Sequence, residues 1–181
     1  TDPAIPTGIF NNNVSGNGAG INLVATGGAV FNAVDNNNIA NNNTDPSAFG
    51  IRVLSDASFI NLIQYADNQT NGNAGDGLQI IAQNTGVVAV GDFDLTTDGS
   101  FNANTFTGNG GNGLFINANN GVVFMEDILT TTFGANTGDG LRILSQAGGF
   151  VTIGDGTDNN LITNNLFQSN GGNGATLIAD G

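Results

Sequence analysis

The sequence predicts an all-β fold, a single elongated solenoid domain over residues 1–181 built from about six stacked coils. Three observations predict it. A Gly-led alternation of apolar residues recurs six times along the chain. The 29 Gly and 31 Asn together fill about a third of the 181 residues. Both disfavour helix, Gly because it loses the most backbone entropy and Asn because its side chain competes for the backbone's hydrogen bonds. Hydrophobic content is 39% and charged content only 9%. That is enough apolar material for a core, but with few core residues per unit length, which suits a thin, elongated fold better than a sphere.

The first element of each coil is the alternation itself. It reads Gly20-Ile21-Asn22-Leu23, Gly50-Ile51-Arg52-Val53, Gly77-Leu78-Gln79-Ile80, Gly113-Leu114-Phe115-Ile116 and Gly140-Leu141-Arg142-Ile143, with a weaker copy at Gly174-Ala175-Thr176-Leu177. Successive glycines are 30, 27, 36, 27 and 34 residues apart. Such a spacing is too long for one strand and its turn and suits three short strands with three turns. The second element is an apolar run: Ala29–Phe31, Phe59–Ile63, Val87–Val90, Val122–Met125 and Phe150–Ile153. The third is Asn-rich with one or two apolar residues, as in Asn104-Thr105-Phe106 and Asn164-Asn165-Leu166-Phe167. The long coils carry insertions near Asp92–Ser100 and Gly154–Asn160.

Period-two alternation assigns the faces of the first strand. Ile21/Leu23/Ala25, Ile51/Val53/Ser55, Leu78/Ile80/Ala82, Leu114/Ile116/Ala118, Leu141/Ile143/Ser145 and Ala175/Leu177/Ala179 point inward. Asn22, Arg52, Gln79, Phe115, Arg142 and Thr176 point outward, and so does the next set: Val24, Leu54, Ile81, Asn117, Leu144 and Ile178. An outward stripe so rich in apolar residues marks an interaction surface, and Val24, Leu54, Ile81, Leu144 and Ile178 are candidates for lateral packing. The competing expectation is that the strand bends this position inward or that an insertion covers it.

These residues resemble the right-handed parallel β-helix of pectate-lyase-like proteins and bacterial surface β-solenoids. The resemblance rests on Gly-[Ile/Leu]-x-[Ile/Val/Leu] and on the Asn-x-Phe-x-Gly-Asn-Gly-Gly-Asn-Gly stretch at 104–113, and it covers the whole chain. The architecture hosts enzymes, adhesins and fibres alike. It implies ladders of stacked Asn side chains at one turn, for which Asn109, Asn112, Asn170 and Asn173 are candidates. The alternative is that Asn serves only to tolerate left-handed turns.

The spacings alternate long and short. The residues from Gly174 to the end and those before Gly20 together match the short spacing of 27, so Gly181 of one unit joined to Thr1 of the next would complete a coil. Pro3 and Pro6 count against regular pairing there. No polar cap or amphipathic helix is visible, whereas solenoids normally cap their bare edges. The chain is therefore expected to be one repeat unit of a longer solenoid, or a subunit that stacks head to tail into an open filament. The end-to-end interface would involve Thr1, Asp2, Ile9, Phe10, Gly174, Leu177, Asp180 and Gly181.

Composition excludes much chemistry. There is no His and no Cys, so neither a Cys/His zinc site nor a His-dependent triad nor a disulfide can form. The net charge of −13, fifteen acids against Arg52 and Arg142, would repel a nucleic-acid backbone and anionic lipid. Apolar runs are too short for membrane insertion. So few basic residues leave almost nothing for trypsin-like proteases, which points to an extracellular or cell-surface location. Asp92, Asp94 and Asp98 form an Asp-x-Asp-x-x-x-Asp-Gly loop that could supply oxygen ligands to calcium, or be a solvated acidic turn. No other cofactor is expected.

Lyases of the resembled architecture use an Arg or Lys base, but Arg52 and Arg142 fall three coils apart, ~14 Å at the spacing of stacked strands. Its hydrolases use clustered Asp on one strand face, and neither outward set named above carries a carboxylate; Asp56 and Asp180 stand at the turn that follows, four coils apart. Thr130-Thr131-Thr132 occurs once, so there is no outward Thr array of the kind that would bind a regular surface. A non-enzymatic, structural, self-associating protein is the expectation. The alternative is a carbohydrate-binding or polysaccharide-degrading β-helix domain of a secreted protein.

Overall fold

A computed structural model of the chain describes residues 8–28, 30–36, 39–41, 45, 48–91, 101–154 and 162–181. The first face is a parallel sheet of six strands: Ile21–Thr26, Ile51–Asp56, Leu78–Gln83, Leu114–Asn119, Leu141–Gln146 and Ala175–Asp180. The register is unbroken. Leu23, Val53, Ile80, Ile116, Ile143 and Leu177 form one column, and each residue before or after them lines up likewise. Burial alternates along the central strands, inward residues closed off from solvent and outward ones half-exposed, as the period of a pleated strand dictates.

The second face continues from Gly8–Phe10 through Val30–Asn36 to Phe59–Ala66, longer strands than the apolar runs alone indicate. Beyond Phe59–Ala66 each coil divides this face into two pieces. Val87–Val90, Val122–Met125 and Phe150–Ile153 stack on its first half, and Phe101–Asn102, Ile128–Leu129 and Ile162–Thr163 on its second. The coil that runs from Leu114 spends only Glu126 and Asp127 between the halves. The long coils spend residues 91–100 and 154–161 there, so both insertions leave from one register position, two coils apart.

The third face stacks Thr105–Thr107, Thr132–Gly134 and Leu166–Gln168, with Asn13–Ser15 on Ile39–Asn41 nearer the N-terminus. Gln69 bridges to Thr105 between the two groups. Its inward column ends in Phe106, Phe133 and Phe167, whose rings stack at centroid distances of 5.4 and 4.8 Å. Tyr65 and Phe101 stack at 5.0 Å beside them, and Phe101 meets Phe106 at 6.0 Å. Aromatic payload thus fills the lumen where the second and third faces meet, each offset stack adding about 0.5–1.5 kcal/mol beyond burial.

All described strand pairs are parallel, and no helix occurs among the described residues. The coil number is smaller than the repeat of the alternation indicates. Six strands stack on the first face, but the chain makes about four turns. Counting glycine-led motifs counts strands, and the last of them, Ala175–Asp180, is followed by no strand of the second or third face.

Candidate functional site

The corner that leads into each first-face strand carries the most regular chemistry. Asn73, Asn109, Asn136 and Asn170 form a ladder, each donating Nδ2–H to the Oδ1 of the next at 3.0, 2.9 and 3.0 Å. The same Oδ1 accepts the backbone N–H of the preceding Asn at 3.1 Å in all three steps. Each Nδ2 also donates to a carbonyl of the coil behind, that of Ala40, Thr70, Phe106 and Phe133 respectively. Three of these side chains are almost fully buried. A buried amide is costly unless its donors and acceptor are met, and here the repeat itself meets them.

Asn109 and Asn170 were the expected members, and Asn73 and Asn136 join them. The other two candidates, Asn112 and Asn173, belong to a second ladder that alternates with carboxylates. Asp76 Oδ1 accepts from Asn112 N at 2.6 Å, Asn112 Oδ1 from Asp139 N at 2.9 Å, and Asp139 Oδ1 from Asn173 N at 2.7 Å. The signal that finds all four rungs is Asn-x-Gly-[Asp/Asn]-Gly, at 73–77, 109–113, 136–140 and 170–174. Left-handed tolerance is the work of different residues. Asn11, Asn84, Asn120 and Asn164 have positive φ, while in the ladder corner the left-handed residue is the one before the Asn: Gly72, Gly108, Ala135 or Ser169.

The glycine that opens each alternation answers to this ladder. A Cβ on Gly113 would stand 2.6 Å from the Gly140 carbonyl oxygen and 2.9 Å from Asn136 Nδ2, and one on Gly77 meets the same pair one coil earlier. The conformation there needs no positive φ; the absence of a side chain is what lets successive corners approach.

The end that carries the last strand is open. Leu177 is 63% exposed, although Ile143, its neighbour in the same inward column, is 5% exposed. Ile162 is 38% exposed where its stacked partner Ile128 is fully buried. Gly174, Asp180 and Gly181 lie on this end, and a Cβ on Gly174 would meet only Phe167. At the opposite end Ile9 is half-buried against the core, and Phe10 closes the strand that pairs with Val34–Asn36. Thr1 and Asp2 lie outside the described residues. So do Asp92, Asp94 and Asp98, the calcium candidates; among the described residues no group of three or more Asp, Glu, His or Cys could hold a metal.

The lateral candidates are on the outer side of the first face. Val24 and Ile178 are 47% and 38% exposed, and Leu54, Ile81 and Leu144 are half-buried between their neighbours. The strand does not bend this position inward; it holds the regular alternation, with Asn117 as the polar member of the column. Arg52 and Arg142 occupy one outward column beside it. Arg52 Nε donates to Asn22 Oδ1 at 3.0 Å and its guanidinium lies 4.6 Å above the Phe49 ring. Arg142 reaches Asp139 at 3.5 Å.

Comparisons of this chain with protein-family models, with curated proteins and with solved structures found no match. The fold class defined by the geometry, an all-parallel β-solenoid, is what stands.

Proposed function

We propose that the chain is a structural β-solenoid, part of an extracellular fibre or cell-surface element, whose stack of coils continues end to end beyond the strand Ala175–Asp180. The finer likeness would be to bacterial surface β-solenoids, with a non-enzymatic role. One observation carries the reading: the inward column is buried through Ile143 and open at Leu177. An uncovered strand edge over an uncovered lumen is a template for a further strand.

The chain holds a strand of matching pattern. Ile21–Thr26 laid on Ala175–Asp180 in the common register sets Ile21 on Ala175, Leu23 on Leu177 and Ala25 on Ala179. Asn17 follows left-handed Gly16 as Asn73 follows Gly72, and would offer Asn170 the next rung. The low content of Lys and Arg supports an extracellular setting.

Electron microscopy of the purified chain tests the proposal. Particles extended well beyond the ~29 Å of six stacked strands are expected, and Leu177→Asp should shorten them to single units without altering the circular dichroism. Compact single units for the unaltered chain would overturn it. A denaturing gel of native source material separates the two ways of continuing: a band near 18.2 kDa means stacked subunits, a far larger one covalent repeats.

A further inference from the structure

We infer that the outer side of the first face docks a second copy of this chain side by side, with the two solenoid axes parallel and related by a two-fold axis running along them. The inference is independent of end-to-end continuation. It starts from the apolar column Val24, Leu54, Ile81, Leu144 and Ile178, which the register sets in one line about 24 Å long. The columns on either side differ in charge. One holds Arg52 and Arg142, the only basic side chains of the protein, and the other holds Asp56 and Asp180.

Arg52 and Asp56 share a strand but stand four residues, roughly 13 Å, apart, so they do not pair with each other. Each is held by neutral groups instead. Arg52 rests on Asn22 and Phe49, and the two Asp56 oxygens accept from Gln83 Nε2 at 3.2 Å and Asn84 Nδ2 at 2.8 Å. Both charges are positioned and neither is neutralised by these contacts.

A two-fold axis along the solenoid reverses the strand direction of the second copy and keeps the order of the coils. The basic column then faces the acidic one. Arg52 meets Asp56 of the partner subunit on the same coil, and Arg142 meets Gln146 of the partner subunit, one coil from Asp180 of the partner subunit. The apolar column meets itself, and Asn117 meets its own counterpart, an amide opposite an amide, each with a donor and an acceptor.

The antiparallel alternative in full overlap does the opposite. It sets Arg52 against Arg142 and Asn117 against Ile81, a like-charge contact and an amide on an apolar side chain, both duplicated by symmetry. Opposed charges of one sign are how interfaces reject a wrong partner, so the charge pattern selects the parallel pair.

The face measures about 29 by 20 Å, or roughly 600 Å² in projection, below the ~800 Å² per partner of a standard interface. Association is therefore weak and concentration-dependent. Because each copy carries −13, it strengthens with salt as the long-range repulsion is screened.

Thiol cross-linking tests the geometry in a chain that has no cysteine of its own. Facing sheets stand ~10 Å apart, too far for a disulfide, so a short bismaleimide is the probe. Val24→Cys alone should cross-link to itself, because the two-fold places Val24 opposite its counterpart. In the antiparallel pair, and in end-to-end stacking, Val24 lies near Ile178 instead. Cross-linking only in a mixture of Val24→Cys with Ile178→Cys, or none at all, overturns the inference.

Charge exchange gives a second readout by sedimentation. Arg52→Glu and Asp56→Arg should each weaken association about tenfold or more, and the double variant should restore it to within a few-fold. Failure of the double variant to recover, with both singles folded, also overturns it.

Discussion

Two corners of the coil solve one problem in different ways. The corner leading into the first face is buried and repeats one chemistry, a left-handed residue, then Asn73, Asn109, Asn136 or Asn170, then glycine. The corner leaving the first face is exposed and repeats only a conformation. Its left-handed residues are Gly27 with Gly28, Ala57, Asn84 with Thr85, Asn120, and Ala147 with Gly148, and its length varies from coil to coil. In the second corner backbone bonds suffice: Ala57, Asn84 and Asn120 donate N–H to the Gln83, Asn119 and Gln146 carbonyls of the adjacent coil, and water can serve what is left exposed. In the first, every buried donor must find a protein acceptor, and stacking identical residues supplies one at each step.

The largest effect should therefore come from breaking a rung. Asn136→Leu keeps the branched shape of the side chain, though it is bulkier, and leaves Asn109 N–H and Nδ2 without the Asn136 acceptor and the Phe106 carbonyl without the Asn136 donor. A loss of about 3–5 kcal/mol in urea unfolding is expected. If Asn136→Leu costs no more than a surface change, the ladder is a consequence of the fold rather than a support of it. Close behind, Gly113→Ala forces a methyl against the Gly140 carbonyl and the Asn136 amide, neither of which can retreat without moving its own rung. About 3 kcal/mol is expected, the upper range for overpacking.

The mixed ladder separates hydrogen bonding from charge. Asp139→Ala removes the acceptor of Asn173 N–H and should cost about 1–2 kcal/mol. Asp139→Asn keeps an acceptor there and gives up only the contact with a 40% exposed Arg142, so less than about 1 kcal/mol is expected. Equal losses for the two variants would mean that the carboxylate matters as a charge. Their unfolding midpoints in urea, compared at high and low salt, make the distinction.

What the sequence revealed follows the same division. The six strands of the first face and their register were legible because inward side chains must be apolar and strands repeat every two residues; Ile51, Leu78 and Leu114 announce themselves. The lateral column was legible for the same reason, since Val24 and Ile81 sit at odd steps from inward neighbours. The ladder was half-legible. Asn109 and Asn170 stand in Asn-Gly-Gly-Asn-Gly, but Asn73 and Asn136 stand in Asn-Ala-Gly-Asp-Gly and Asn-Thr-Gly-Asp-Gly, where Asp takes the second rung. A lone Asn carries no mark of burial; the mark is the Asn-x-Gly-[Asp/Asn]-Gly around it, which shows only once the coils are aligned. Asn136 opens Asn-Thr-Gly-Asp-Gly and is covered by stacked coils, whereas Asn120 is followed by Gly-Val-Val and stays wet. The turn number was overread because a glycine-led strand occurs whether or not the turn that follows it is complete.

The smallest effects come from the left-handed residues, and they can be given opposite signs. Asn120→Ala in the exposed corner loses a side chain that suits φ of 50°, and should cost about 0.5 kcal/mol or less. Ala135→Gly should stabilise. Ala135 has φ of 52° at the position held by Gly72 and Gly108 in other coils, and its methyl is exposed, so little packing is lost on removing it. An L-residue gives up about 1–2 kcal/mol in that conformation, and the added freedom of an unfolded glycine returns about half of it. A net gain of about 0.5 kcal/mol is expected, seen as a small rise in the urea midpoint at constant slope. Should Ala135→Gly destabilise instead, the corner depends on the stiffness of that residue to aim Asn136. The buried corner would then be held by its backbone as much as by its amides.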